Sequence, residues 1–368
     1  MQSFRVAIIL IIVWGLSLNG FSQFDMGGGG FGGKDTSSKK LKLAGFPYLN
    51  YDRTQEFMYG AVVMGMFRFN KEDTISPKSI VGAMGIGTTT QTWGAVGFSM
   101  LYLNEDKWRT MMFGGYFSFN YQFFWSPFPE TGAFIKYNTG YTMLSGQLLR
   151  RITKVDNPRK LYGGVHGMYA EAKTTFSIID TNIKTAPTQL NNVGLDFDYD
   201  SRNDVYYPDK GFFVESSWDW YADWLGNRNT FNKIHLSVNN YQRIHKRIIQ
   251  ASRFHTSFGV GSVPFEGQEI IGQTDIRGYS EGKQRGNQLF ALQTESRIQI
   301  WKRISMVAFA GIATTTYDAS DFSWNNLWPG AGGGIRVMVM KEEKFNIGLD
   351  VAAGRDDWSM SFTMGETF

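Results

Sequence analysis

The stretch Trp358-Ser-Met-Ser-Phe-Thr-Met-Gly-Glu-Thr-Phe368 places Trp358, Met360, Phe362, Met364 and Phe368 at even positions and Ser359, Ser361, Thr363 and Thr367 at odd ones. A period of two puts the apolar set on one face of a strand and the hydroxyls on the other. The sequence stops there on an aromatic, with no helix after it. A closing strand of this kind suits a sheet that joins its own first strand, and a transmembrane β-barrel is such a sheet. Phe362 and Phe368 are then the expected closing-strand signal, both on its lipid face.

The N-terminus says where such a barrel would sit. Met1–Arg5 is a short basic start, Val6–Leu18 an almost unbroken apolar run, and Asn19–Gln23 small and polar. That order predicts a secretory signal peptide, residues 1–23, cleaved near Ser22–Gln23. The apolar run is too short for a membrane helix, which needs roughly 20 residues. Cys is absent from all 368 residues, which excludes a lipidated cysteine and any disulfide support for an exported fold. The 42 Gly, 9 Pro and 16% aromatics suit strands, tight turns and an interfacial belt. A mean hydropathy of −0.26 follows when each lipid-facing residue is averaged with a lumen-facing one. The formal net charge of +4 carries no sign of a nucleic-acid partner.

Residues 24–42, with Gly27–Gly30, Gly32 and Gly33 followed by the polar Lys34–Lys40, read as a flexible leader. Those glycines do not form a phosphate loop, because no strand precedes them and no helix follows. Residues 43–368 then divide into sixteen candidate strands, from Leu43–Tyr51 to Trp358–Phe368. A barrel with both ends in the periplasm has short turns after even strands and longer loops after odd ones. Pro208–Gly211, His245-Lys246, Lys302-Arg303 and Lys341–Lys344 fit the first class, and Phe124–Thr139, Ile178–Gln189, Pro264–Gln288 and Tyr317–Pro329 the second. Pro47 falls inside the first strand and is tolerated there only at an edge or bulge.

The faces can be told apart on single strands. Val193, Leu195, Phe197 and Tyr199 alternate with Gly194, Asp196, Asp198 and Asp200, and Phe345, Ile347, Leu349 and Val351 alternate with Asn346, Gly348, Asp350 and Ala352. A soluble sandwich would show the same period with its apolar face inward. The signal peptide and carboxylates at every second residue favour lipid outside and a polar lumen lined by Asp196, Asp198, Asp200, Lys233, Arg336 and Asp350.

The longest loop contains Gly272 and then Ile276-Arg277-Gly278-Tyr279, and the next strand contains Glu295-Ser-Arg297. Upstream, Asp200-Ser-Arg202 leads to Pro208-Asp-Lys-Gly211. Together these resemble the hallmark loop, the following Glu-x-Arg and the Asp-x-Arg…Pro-x-x-Gly turn of the BamA/TamA superfamily (bacterial surface antigen type) of outer-membrane assembly and translocation barrels. The likeness covers Leu43 to Phe368. It implies a loop folded back into the lumen, with Arg277 docking on the inner wall near the seam of first and last strands and Glu295 and Arg297 receiving it. An Arg–carboxylate fork there is directional and charge-assisted, and Gly278 would allow a sharp turn or close approach. Two departures stand out. Phe309 occupies a position where the family often has an Asp, and the leader has no counterpart of the periplasmic POTRA domains, which implies a periplasmic or barrel protein partner.

Each feature also has a plainer explanation. Arg277 in isolation is a solvated loop cation. Gly332-Gly-Gly334 and Gly365 either weaken pairing near the seam or relieve crowding in a twisted barrel. The histidines His166, His235, His245 and His255 lack metal-ligand spacing, His235 shares a polar face with Lys233, Ser237 and Asn239, and no motif supports an enzyme. Trp218, Trp220, Trp224 and Trp301 suit lipid-facing or belt positions. The expectation is therefore a cofactor-free barrel of sixteen antiparallel strands in a Gram-negative outer membrane, surrounded by lipid and assisting insertion or transport of proteins or lipids. A passive porin-like channel and a structural scaffold are the alternatives.

Overall fold

A computed structural model describes residues 41–368 apart from 53–55, 71, 129–130, 179–180, 185, 265–266, 273–274, 280–283 and 342–343. The expected signal peptide and the leader through residue 40 lie outside the described residues. The long strands are β1 (Leu41–Asp52), β2 (Glu56–Phe67), β3 (Ser79–Thr88), β4 (Trp93–Leu103), β5 (Trp108–Phe128), β6 (Thr131–Arg151), β7 (Lys160–Ile178) and β8 (Asn192–Asp200). They continue as β9 (Lys210–Tyr221), β10 (Phe231–His245), β11 (Ile248–Gly261), β12 (Gln288–Gln299), β13 (Ile304–Thr316), β14 (Trp328–Met340), β15 (Phe345–Gly354) and β16 (Asp357–Met364). Each pairs antiparallel with the next, and β16 returns to β1 to close a sixteen-stranded transmembrane barrel. Closure lets backbone polar groups pair within the sheet, as a bilayer demands.

The alternation on β8 separates the two faces. Asp196, Asp198 and Asp200 are 1%, 7% and 2% exposed, whereas Leu195 and Phe197 are 37% and 55% exposed. Apolar residues out and carboxylates in is the membrane arrangement. The interior is nevertheless not uniformly polar. On β1–β6 the inward face carries Phe46, Met64, Met66, Phe98, Phe113 and Tyr141, which pack as one buried apolar cluster. The cluster extends onto β7 through Met168, Ala170, Ala172 and Phe176, and buried charged residues concentrate on β8–β15. The reason lies in the sequence of β2, where buried Met64 and Met66 flank outward positions that include Val63, 59% exposed, so both faces are apolar.

Four boundaries differ from the sequence expectation. The segment read as the loop Phe124–Thr139 is mostly strand: β5 and β6 are 21 residues each, about twice the 9–11 that span a bilayer, and a register shift between Trp125 and Phe128 accommodates Pro127. Within Ile178–Gln189, Thr181–Lys184 and Thr188–Gln189 pair back onto β7. β14 begins at Trp328, inside the stretch read as the loop Tyr317–Pro329, and β16 ends at Met364 instead of Phe368.

The turn joining β4 to β5 shows how the rim on the even-strand side is held. Asn104, Glu105 and Asp106 have φ of 53°, 58° and 59°, a left-handed run unusual outside glycine. Side-chain acceptors on the preceding turn fix it: Glu105 N–H donates to Asp73 Oδ2 at 3.0 Å and Asp106 N–H to Ser76 Oγ at 2.8 Å. The Asp106 carboxylate in turn receives Arg109, Lys160 and the Tyr162 hydroxyl, each at 2.8 Å. Burial acts to raise its pKa, but Arg109 and Lys160 outweigh that and hold the carboxyl below the usual carboxylate range. Asp106→Asn keeps the residue type that tolerates this backbone while deleting the charge. It should destabilise the barrel by about 3 kcal/mol, the cost of leaving a buried cation short of a partner, and lower the temperature at which the folded band converts on a gel. Glu105→Gln, which removes only an exposed pair with Lys107, should leave that temperature unchanged.

Candidate functional site: a docked loop beside a half-paired seam

The loop between β11 and β12 begins with a small hairpin, Glu269–Ile270 against Arg285–Gly286. Lys233 on β10 reaches Glu269 at 3.0 Å, and Ser257 on β11 donates to it at 2.7 Å. Ile276 packs with Ile271, Leu289, Ala291 and Ala313. The next residue, Arg277, is 3% exposed, with Nη1 2.7 Å from Glu295 Oε2 on β12 and 2.9 Å from Asp350 Oδ2 on β15. Its guanidinium lies 3.4 Å from the ring centroid of Phe309 on β13. Where an acidic partner is missing at that position, an aromatic face takes the cation instead.

The contacts continue in both directions from Arg277. Glu295 Oε1 accepts from Arg297 Nε at 2.9 Å, and Arg336 on β14 forks onto Asp350, with Nη2 at 2.8 Å from Oδ2. Arg297 Nε is also 3.1 Å from Glu366 Oε2. Three guanidinium groups thus alternate with three carboxylates in a buried, formally neutral chain, which is the arrangement that makes burial of charge tolerable. Gly278 and Tyr279 seat the loop on the closing strands. Gly278 N–H donates to Ser359 Oγ on β16 at 3.2 Å, and Tyr279 OH donates to the Pro329 carbonyl and accepts from Arg355 N–H, the latter at 2.8 Å.

The last strand departs from its expected path at Gly365. Its φ of +79° ends the extended run, although Gly365 N–H still donates to Asn346 O at 2.7 Å. Glu366, Thr367 and Phe368 then turn inward. Arg277 Nη1 and Arg336 Nη2 donate to Thr367 Oγ1 at 3.2 and 3.3 Å, and Arg297 donates to the Phe368 carbonyl. Phe368 therefore does not face lipid: it packs with Phe213, Tyr241 and Ala251 inside. Phe362 remains on β16, partly exposed.

The seam is short, and it ends before this departure: ladder pairing with β1 stops at Ser361, although β16 continues to Met364. β1 pairs with β2 over all twelve residues from Leu41 to Asp52, but with β16 only at Asn50↔Ser361 and Tyr51↔Met360, beside a stacked Tyr51–Trp358 pair at 4.8 Å. Among the described residues, these two pairs make up the β1–β16 ladder. Pro47 sits on β1 outside them.

The other candidate residues lie elsewhere. Asp196, expected to line the lumen, meets His166 Nδ1 at 2.9 Å, and His166 Nε2 lies 3.0 Å from Asp219. Asp198 lines a separate chamber with Arg109, Glu215, Arg253 and Phe368. Asp200 joins Arg109 and Arg202, each at 3.0 Å. His235 Nε2 lies 3.3 Å from Asp219, His255 Nε2 is 3.8 Å from Asp275, and His245 is exposed. The glycines of β14 do not simply thin a strand: a Cβ on Gly334 would stand 1.9 Å from Asp350 Oδ1, so the gap houses that carboxylate. Sequence reading missed Phe309 as a stacking face, and Glu366 and Thr367 as contacts. The signal for the latter pair was Gly365, the point where the alternation breaks.

Gly278 offers a direct test of docking. Its φ is +107°, and a Cβ there would lie 2.7 Å from the Ala353 carbonyl carbon. Gly278→Ala should cost about 1–3 kcal/mol of docking free energy and accelerate tryptic cleavage after Lys283 or Arg285 by roughly five- to a hundredfold. Heat conversion of the barrel itself should be little changed.

The Omp85 superfamily domain matches residues 77–368. Among solved structures, CdiB from Acinetobacter baumannii aligns with a TM-score of 0.58 at 12% identity, over 89% of this chain and 60% of that one. CdiB from Escherichia coli gives 0.58 at 9% identity over 90% and 64%. BamA from Haemophilus ducreyi lacking POTRA domains 1-3 gives 0.52 at 12% over 94% and 76%. At these identities the likeness is one of fold, and the chain spans less than two thirds of the length of either CdiB structure. No curated protein matches in sequence. With the family model covering most of the barrel, the chain belongs to the Omp85 superfamily.

Proposed function

We propose that this barrel assists insertion or translocation of proteins or lipids at the outer membrane, using the short β1–β16 seam as the entry point, after export and removal of its signal peptide. The observation that carries this reading is the two-pair seam beside a loop anchored to β12, β15 and β16. A strand edge unsatisfied at membrane depth costs several kcal/mol per polar group, so it pairs readily with an extended segment arriving from the periplasm. Arg277, Gly278 and Tyr279 hold the loop, Glu295 and Arg297 receive it, and the inward path from Gly365 removes residues 366–368 from any extension of the ladder. A separate periplasmic or barrel protein delivers the substrate. No enzymatic step or cofactor is part of the proposal. The passive channel has less support, since the inner face of β1–β6 is packed with Phe and Met.

The absence of Cys makes a seam lock straightforward. Cross-strand neighbours have Cβ atoms about 4.5–5.5 Å apart, near what a disulfide spans. Asn50→Cys with Ser361→Cys, oxidised in cells, should deplete outer-membrane proteins, and reductant should restore them. Normal growth and an unaltered outer-membrane profile with the lock closed would contradict the proposal. Arg277→Ala should likewise impair biogenesis while leaving small-solute flux little changed. Were the barrel a channel, shortening Ser280–Gly286 would instead raise single-channel conductance.

A further inference from the structure

Two neighbouring turns on the even-strand side carry the same run. Lys246-Arg247-Ile248 joins β10 to β11, and Lys302-Arg303-Ile304 joins β12 to β13. β11 and β12 pair through Ile248↔Ile298, and Gln299 N–H donates to Arg247 O at 2.8 Å, so the turns stand side by side. All four cations are exposed. Residues 242–250 and 296–305 contain no Asp or Glu, and among the described residues none of the four has an ion-pair partner.

The flanking turns differ. Lys341-Glu-Glu-Lys344 cancels its own charge, Lys344 and Arg243 pair with Asp204 and Asp209, and Asp200 and Asp106 neutralise Arg202 and Lys160. Elsewhere on the rim, Lys154 and Arg159 flank Asp156, so the Lys246–Arg247 and Lys302–Arg303 turns are set apart by having no carboxylate in their own sequence. Directly along the wall from them lie outward apolar side chains: Ile244 and Ile300 are 60% and 52% exposed, Met306 48%, and Trp301, adjoining Lys302, 70%.

We propose that Lys246, Arg247, Lys302 and Arg303 form a ledge that binds the phosphate of an anionic phospholipid in the periplasmic leaflet, with its acyl chains along the isoleucine wall and Trp301 at the headgroup level. The guanidinium forks match phosphate oxygens, and the ammonium groups add point charge. Tryptophan prefers this depth. A soluble acidic protein would satisfy the cations but not the apolar strip below them. The ledge explains the paired Lys-Arg-Ile turns, which neither the docked loop nor the seam requires.

The test uses the full barrel in nanodiscs of mixed phosphatidylethanolamine, phosphatidylglycerol and cardiolipin, followed by detergent stripping and quantification of the retained lipid. Wild type should retain anionic lipid in preference to phosphatidylethanolamine. Each cation near an anionic surface contributes a factor of about five, so joint replacement of all four by Gln should lower retention roughly tenfold or more. Lys154→Gln with Arg159→Gln, on another turn of the same rim, should not. Heat conversion on a gel checks that each variant is folded, and Arg247→Lys with Arg303→Lys should keep part of the binding by retaining charge without the forks. Equal retention of both lipid types by wild type would overturn the proposal. So would capture of an acidic periplasmic protein through these residues with no lipid preference.

Discussion

In hydrocarbon, no water is available to satisfy a backbone N–H or C=O, and every strand of a spanning sheet must find its partners within the protein. β2 through β15 meet that requirement on both sides, and the alternation of lipid-facing and lumen-facing residues follows from it. Among the described residues, β1 forms a ladder with β2 over its whole length and with β16 at two residues. This local exception is the source of the functional reading, because a polar edge in an apolar medium is the strongest unspent pairing capacity in the molecule.

The exception is held in place by electrostatics inside the barrel. Arg277 links Glu295 on β12 to Asp350 on β15, and Arg297 and Arg336 extend the chain of charges to Glu366 and Thr367 beyond the end of β16. The tail beyond the last strand is thereby drawn into the lumen. Loop docking and the inward tail are two results of the same set of contacts, and buried neutrality explains why three arginines are accommodated there.

Much of this was legible in sequence because a period of two is unambiguous when one face meets lipid and the other carboxylates. β8, with its three aspartates, and β15 are of that kind, and Arg277 and Glu295, singled out in the sequence, stand 2.7 Å apart. The sequence was less informative where the period failed. Pro127 and a dense aromatic run concealed the extension of β5 and β6, since proline and irregular hydrophobicity both read as loop. The apolar interior of β1–β6 was missed because strands with both faces apolar do not reveal which face is inside. Phe368 has the parity of a lipid-facing residue and lies inside, because one positive-φ glycine resets the direction of the chain. The partners of Asp196 and Asp198 were not legible, since period two specifies a face but not which opposing wall a side chain meets.

The decisive measurement is photocrosslinking from the free edge in living cells, with a benzophenone side chain replacing Leu49 or Leu43, which are 39% and 71% exposed. An edge used for entry should yield adducts to unfolded outer-membrane strands, fewer when Arg277 is replaced by Ala. Adducts to lipid alone, or to β16 of the same chain, would contradict the idea that the seam admits a substrate.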